Sequence, residues 1–366
     1  MSPDSLGAVT SQSGGERLLV LITGTGRSGT STMSGTLHHL GLHVPGPYLG
    51  ANDSNPKGFF ESKWTVGFHN RLTARVAVNI FDGRPEGFDL VRDAITAEDR
   101  EQLAGFIADR SEGHDQMVVK DPRSVWVQEL WREVAAEQGY AIRYVSMLRH
   151  PAEVVGSRTT YYAGQGDTGT PEEQRKRYEI FNVARWINNS LINERETRGQ
   201  ARAFVRYTDL LENWRPVLLG LQDDLGLRYA EDIAAGGGAA VDEFIDPGLR
   251  RHQVTWGELT VPRGLSDLAE LVWGQLQILT DSHGVDVAAS ARLDELAGEY
   301  EALLADADAI DKDRADDRIR LARLEGAAEA AAARRGADPE ERLVSEVTAR
   351  ELLGVLRRRA TRRLGR

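Results

Sequence analysis

The sequence contains no cysteine. Disulfides, thiolate zinc sites, iron–sulfur clusters and cysteine nucleophiles are therefore excluded. Lysine is scarce: only Lys57, Lys63, Lys120, Lys176 and Lys312 occur, and arginine carries nearly all the positive charge. Long apolar runs are missing too. The longest near the start, Leu18–Ile22, falls far short of the ~20 residues a membrane helix needs. Residues 1–15 are rich in serine and glycine and lack the basic start and apolar stretch of a signal peptide. These features predict a cytoplasmic protein. There is no excess of basic charge either. The net charge is −11, which argues against a general nucleic-acid binder, since such proteins present a basic face. What is present is ordinary for a globular chain. With 41% hydrophobic and 28% charged residues over 366 positions, it can build one large domain plus an appendage.

Residues 1–16 read as a disordered lead-in. Arg17–Thr23 is a continuous apolar run ended by glycine, the pattern of a buried parallel strand. Further strands are expected at 117–119, 142–148 and 204–207, separated by helices that include 30–40, 125–137 and 171–198. Strands alternating with helices predict an α/β fold whose central parallel sheet is covered on both faces. This α/β domain is expected over 17–288. The character then changes. Leu293, Leu296, Tyr300, Leu303, Ala307 and Ile310 follow heptad spacing, which Arg314 and Asp317 interrupt and Leu321, Leu324, Ala328 and Ala331 resume. A helical, coiled-coil-like appendage is therefore expected over 289–366. Asp338-Pro339 opens its last helix, and its end is dense in arginine (Arg350, Arg357, Arg358, Arg359, Arg362, Arg363 and Arg366).

The most informative segment is Thr23-Gly24-Thr25-Gly26-Arg27-Ser28-Gly29-Thr30-Ser31-Thr32. A strand feeding a small-residue loop that opens a helix is an anion site. Its amides converge, its hydroxyls donate, and the helix adds positive potential. Gly24 and Gly29 have Walker spacing, but Thr30 stands where a nucleotide triphosphatase needs lysine. The charged residue is instead Arg27. A second segment, Arg149-His150-Pro151-Ala152-Glu153-Val154-Val155-Gly156-Ser157, sets an arginine at a strand end and a serine two helical turns along.

Together, Arg27-Ser28-Gly29-Thr30 and Arg149…Ser157 resemble the two nucleotide elements of bacterial-type sulfotransferases, which use 3′-phosphoadenosine 5′-phosphosulfate (PAPS). Val119-Lys120-Asp121-Pro122-Arg123 looks like the Lys-Asp-Pro element of tyrosylprotein sulfotransferases. Tyr207-Thr208-Asp209-Leu210-Leu211 resembles the Tyr-x-Asp-Leu element of many bacterial members. The resemblance covers roughly residues 18–260. The Arg-Lys-Gly segment of the cytosolic animal enzymes is not evident, and Phe244–His252 is the stretch that would supply late basic contacts.

The resemblance implies a P-loop-like three-layer fold with PAPS as co-substrate and no metal. A sulfuryl group would pass by in-line displacement to a hydroxyl or amine of a carbohydrate, glycolipid or other small molecule. Gly26, Arg27, Ser28, Gly29, Thr30 and Ser31 would hold the 5′-phosphosulfate. Arg149 and Ser157 would hold the 3′-phosphate, an arginine fork plus a hydroxyl being suited to a dianion, and Tyr207 would join the nucleotide side. Arg27 and Lys120 would steady the leaving group. In related enzymes the general base is a histidine or glutamate from the segment after the first helix, here Asn55–Trp64, which makes Glu61 the base. Aromatic neighbours suit a raised carboxyl pKa. His69 and Asp121 stand in reserve, while His38 and His39 pack or face solvent. Acceptor choice falls to the loops 48–55, 70–92 and 161–170. Two other readings share the first loop: an ATP-dependent P-loop kinase, and a non-catalytic nucleotide-binding scaffold. For the appendage, homodimerisation, packing on the catalytic domain and contact of the basic tail with an anionic membrane all stay open.

Overall fold

The computed structural model describes residues 15–51, 55, 57–162, 170–246, 248 and 253–337, with the side chains of 160–162 and 333–337 left aside. In chain order the elements are β1 (Leu18–Thr23), α1 (Thr30–His39), α2 (Lys63–Arg75), α3 (Gly87–Asp93), α4 (Ala97–Arg110), β2 (Gln116–Lys120), α5 (Gln128–Glu137), β3 (Ala141–Leu148) and α6 (Pro151–Tyr162). Then come α7 (Pro171–Thr197), β4 (Arg202–Arg206), α8 (Tyr207–Glu212), α9 (Trp214–Leu225), α10 (Ala239–Phe244), α11 (Arg263–Asp281) and α12 (Val287–Ala337). Among the described residues the strands form one parallel sheet in the order β2-β1-β3-β4.

The apolar run of β1 is buried along its whole length, as a central strand covered on both faces requires. Its side chains alternate between two cores. Leu18, Val20 and Ile22 pack with α1, α8 and α9. Leu19 and Leu21 pack with α2, α4 and α5. The result is the helix–sheet–helix layering of an α/β, P-loop-like fold. Three expectations shift in detail. The helix expected from residue 125 begins at Gln128, because Asp121 caps a separate 3-10 turn over Pro122–Trp126 by accepting the Arg123 amide. Tyr207, expected to close a strand, opens α8. Glu16, expected in a disordered lead-in, pairs with Arg143 at 2.6 Å. Residues 1–14 lie outside the described residues.

The chain divides into two compact units, Met1–Glu301 and Ala302–Arg366. This division lies later than residue 288, the expected domain boundary, because the first turns of α12 pack within the first unit. Ala289, Leu293, Leu296 and Tyr300 are buried there. Ser290 donates to the buried Glu194 of α7 at 2.9 Å, and Asp294 pairs with Arg198 at 2.8 Å. The Tyr300 hydroxyl bonds the Gly83 carbonyl at 2.6 Å. The heptad seam therefore has two parts. Its opening positions are core, whereas in the second unit Leu303, Ile310, Leu321 and Leu324 are exposed, Ile310 by 88%. Ion pairs such as Lys312–Asp316 at 2.7 Å brace that stretch of helix. The Asp338-Pro339 helix start and the basic tail lie outside the described residues. Among the described residues, no helix is long and apolar enough to cross a membrane.

A chain ended after Asp286 loses these contacts, worth about 1.5–3 kcal/mol for each large apolar side chain. Urea titration followed by circular dichroism is expected to find it marginal or unfolded. A chain ended after Glu301 is expected to keep a cooperative transition. Equal midpoints for the two would overturn the later boundary.

Candidate functional site

The loop after β1 turns through left-handed backbone at Gly24, Arg27 and Gly29, with φ of 120°, 77° and 88°. At a non-glycine residue such a conformation costs on the order of 1–3 kcal/mol and persists only where neighbours hold it. The holder at Arg27 is Arg149, whose Nη1 donates to the Arg27 carbonyl at 3.2 Å. A bond of 2.7 Å between the Thr25 and Ser28 hydroxyls ties the turn from within. Helix α1 then starts at Thr30 with no side-chain cap and no acidic residue in its first turn. Its positive end is thus directed to the loop. Gly29 is obligatory on two counts. Its φ is left-handed, and a Cβ there would lie 2.1 Å from Cδ2 of Tyr207. Tyr207 is therefore the buried floor of the turn. Burial pushes its hydroxyl pKa up.

The Arg149 segment meets this loop. Arg149 leaves the end of β3 and Ser157 lies two turns into α6. The Arg27 Nε donates to Ser157 Oγ at 3.1 Å, and the Arg149 guanidinium lies 5.3 Å from the centre of the Tyr207 ring. Four of the sequence-predicted residues, Arg27, Arg149, Ser157 and Tyr207, thus share one locus. Sequence reasoning missed Glu153, whose carboxylate pairs with Arg149 Nε at 2.9 Å. Its signal was available: an acid four residues after an arginine at a helix start.

On the other side of β1, register pairs Ile22 with Lys120, the last residue of β2. Lys120 is buried; its Nζ donates to Ser31 Oγ at 3.0 Å and to the Phe59 carbonyl at 3.3 Å, and it forms an ion pair with Glu61. Ser31 lies in the first turn of α1, so this pair joins the loop directly. Burial raises the Glu61 carboxyl above its ordinary value. The Lys120 charge pulls the other way, and the Asp121 charge adds to the rise.

The reserve residues are committed elsewhere. His69 Nδ1 donates to Asp121 Oδ2 at 2.9 Å, while Trp131 Nε1 donates to His69 Nε2 at 2.8 Å. The indole fixes the tautomer, since the nitrogen that accepts from it carries no proton. Both side chains are fully buried. Burial alone would raise the Asp121 carboxyl, but the hydrogen bond from His69 and the charge and amide of Arg123 hold it at about 2. Neither group is open to an acceptor. His38 and His39 are exposed, in a ring cluster where His39 lies 4.8 Å from Phe244 and His38 5.9 Å from Phe60. Of the late basic stretch, residues 247 and 249–252 lie outside the described residues.

No protein-family model matches this sequence, and no curated protein does. Among solved structures, the chain is similar to the sulfotransferase domain from the Synechococcus PCC 7002 olefin synthase. The TM-score is 0.36 at 16% identity, over 78% of this chain and 94% of that one. It is also similar to the sulfotransferase domain from the curacin biosynthetic pathway, with a TM-score of 0.35 at 18% identity over 77% of this chain and 96% of that one.

Gly29→Ala is expected to lower stability by about 1–3 kcal/mol, from strain at positive φ and the clash with Tyr207. Adding Tyr207→Ala removes the clash, so the double variant should lose less than the two single losses combined. Strict additivity in urea titrations would show that the ring does not limit position 29.

Proposed function

We propose that the protein transfers a sulfuryl group from PAPS to a hydroxyl, or an amine, of a carbohydrate, glycolipid or other small-molecule acceptor. One observation carries this reading. Two segments 130 residues apart, each resembling one half of a PAPS site, meet through the Arg27–Ser157 hydrogen bond. The second half is what a triphosphate kinase site does not need. An arginine fork and a hydroxyl beside the loop suit a ribose 3′-phosphate, while Thr30 occupies the Walker lysine position.

In this reading the loop amides, Arg27, Ser28, Thr30 and Ser31 bind the 5′-phosphosulfate. Arg149 and Ser157 bind the 3′-phosphate, with Arg149 exchanging Glu153 for it. Tyr207 supports both from below. The acceptor oxygen attacks sulfur in line. A new S–O bond forms, the S–O bond to the 5′-phosphate breaks, and adenosine 3′,5′-bisphosphate departs. Negative charge grows on the bridging oxygen, where Arg27 and Lys120 neutralise it without water having to reorganise. The acceptor proton passes to the Glu61 carboxylate, which burial makes a better base than an exposed glutamate. Lys120 is then shared between Glu61 and the departing oxygen, so proton uptake by Glu61 releases the cation just as the leaving group needs it.

Calorimetry should show adenosine 3′,5′-bisphosphate binding more tightly than AMP. Arg149→Ala is expected to weaken the bisphosphate by roughly 1.5–3 kcal/mol, the size of a charge-assisted contact. Equal affinity for the two nucleotides would overturn the donor assignment. Glu61→Gln should leave that affinity nearly intact and lower turnover of sulfur-labelled PAPS on the order of 10²–10⁴-fold. Unchanged turnover would remove Glu61 as the base.

A further inference from the structure

In the second unit, α12 carries a stripe of apolar side chains along one face. Leu303, Ile310, Leu321 and Leu324 are exposed there. With Ala307 and Ala328 they keep the heptad seam over residues 303–328. At 1.5 Å per residue that stretch is about 39 Å long. It covers between three and four heptads, the length over which a coiled-coil pattern carries meaning. Most of a helix's stability in water comes from packing its apolar face, so the stripe calls for a facing helix.

Two charged residues inside the seam select that helix. Arg314 and Asp317 take successive core positions of the heptad at its middle. Consider a second copy of the stripe running in the opposite direction, about a two-fold axis between Ala315 and Asp316. Arg314 of each chain then faces Asp317 of the other. The apolar layers fall into step. Ile310 meets Leu321, and a large residue meets a small one where Leu303 faces Ala328 and Leu324 faces Ala307. The flanking positions agree as well: Asp311 meets Arg318, and Asp313 meets Arg320. Symmetry repeats all three charged matches, and each is of opposite sign. The same helices aligned in one direction would stack Arg314 on Arg314 and Asp317 on Asp317, like charges within an apolar seam.

We propose that residues 303–328 of α12 join two copies of this chain in an antiparallel two-stranded coiled coil. The charged side chains are placed to serve it. In a single chain Asp311 pairs with Arg318 at 2.5 Å and Asp317 with Arg320 at 2.8 Å, each along the surface of its own helix. Exposed pairs of this kind contribute little, so exchanging them for partners across the seam costs little. The alanine–leucine layers and the charged centre bury less than a seam of leucine throughout, which sets association in the micromolar range. None of the residues assigned to sulfuryl transfer takes part.

Sedimentation equilibrium of the full chain, from about 1 to about 100 μM, tests this. A monomer–dimer equilibrium is expected. Arg314→Asp sets two aspartates against each other on both sides of the axis, and Asp317→Arg does the same with two arginines. Each should weaken the dimer at least about tenfold, and the double charge swap should restore it to within about threefold. Because the chain has no cysteine, single-cysteine variants report the direction. Ile310→Cys and Leu321→Cys chains, treated with a short bis-maleimide, should cross-link only when mixed. In the antiparallel pair each Ile310 lies eleven positions, about 16 Å, from its counterpart. Cross-linking of either variant alone overturns the antiparallel seam. A chain that stays monomeric at about 100 μM, the result if residues 340–364 cover the stripe instead, overturns the dimer. So does a dimer that neither charge variant weakens, since another surface then holds it.

Discussion

The parallel ladder that places β1 between β2 and β3 is the constraint on which the rest depends. Thr23 pairs with Ser146 on one side and Ile22 with Lys120 on the other. The loop after β1 therefore leaves the sheet flanked by both neighbouring strand ends, with Lys120 on one side and Arg149 just past β3 on the other. Register makes this specific. A slip of one residue in β2 would turn Lys120 to the opposite face, away from Ser31 and Glu61. The alternation of β1 side chains between two packed cores resists such a slip, because it would put every apolar contact of the strand out of phase.

The site that results is rich in buried charge, and each cation described within it has a partner before any substrate arrives. Lys120 pairs with Glu61 and Arg149 with Glu153. Buried pairs of this kind contribute little net stability, because desolvation offsets their attraction. In the proposed transfer reaction their value would be chemical: a phosphate or sulfate would displace the carboxylate, and the cation would meet the substrate already aimed and already dehydrated. The His69–Asp121–Trp131 triplet uses the same chemistry for structure instead. With every polar atom engaged and no exposure, it braces α2 against the 3-10 turn after β2 and thereby steadies Lys120 one residue away.

The sequence by itself determined the local signals. A strand buried on both faces must be apolar throughout, which made β1 and β3 legible. A backbone that bends left-handed at Gly24 and Gly29 favours glycine, which made the loop after β1 legible. An arginine at a strand end with a hydroxyl two helical turns along is a spacing, and spacings can be read in one dimension. Glu61 and Lys120 were each legible as residue types in the right segments, though not as a pair, since 59 residues separate them.

Tertiary structure alone decided which polar residues stay open to chemistry and which are spent on packing. His69 and Asp121 stood in reserve behind Glu61 because their residue types permit base chemistry, and only the Trp131 indole, 62 residues from His69, shows how they are held in the core. The heptad seam read as unbroken across residue 301 because its period does not change there. What changes there is the surface beside it: α7 and the loop at Gly83 bury Leu293, Leu296 and Tyr300, whereas Leu303 and Ile310 are exposed. Periodicity and local propensity report what a residue can do within its own element. Burial, hydrogen-bond partners and convergence are properties of surfaces brought together by the sheet, and they exist only once the chain has folded.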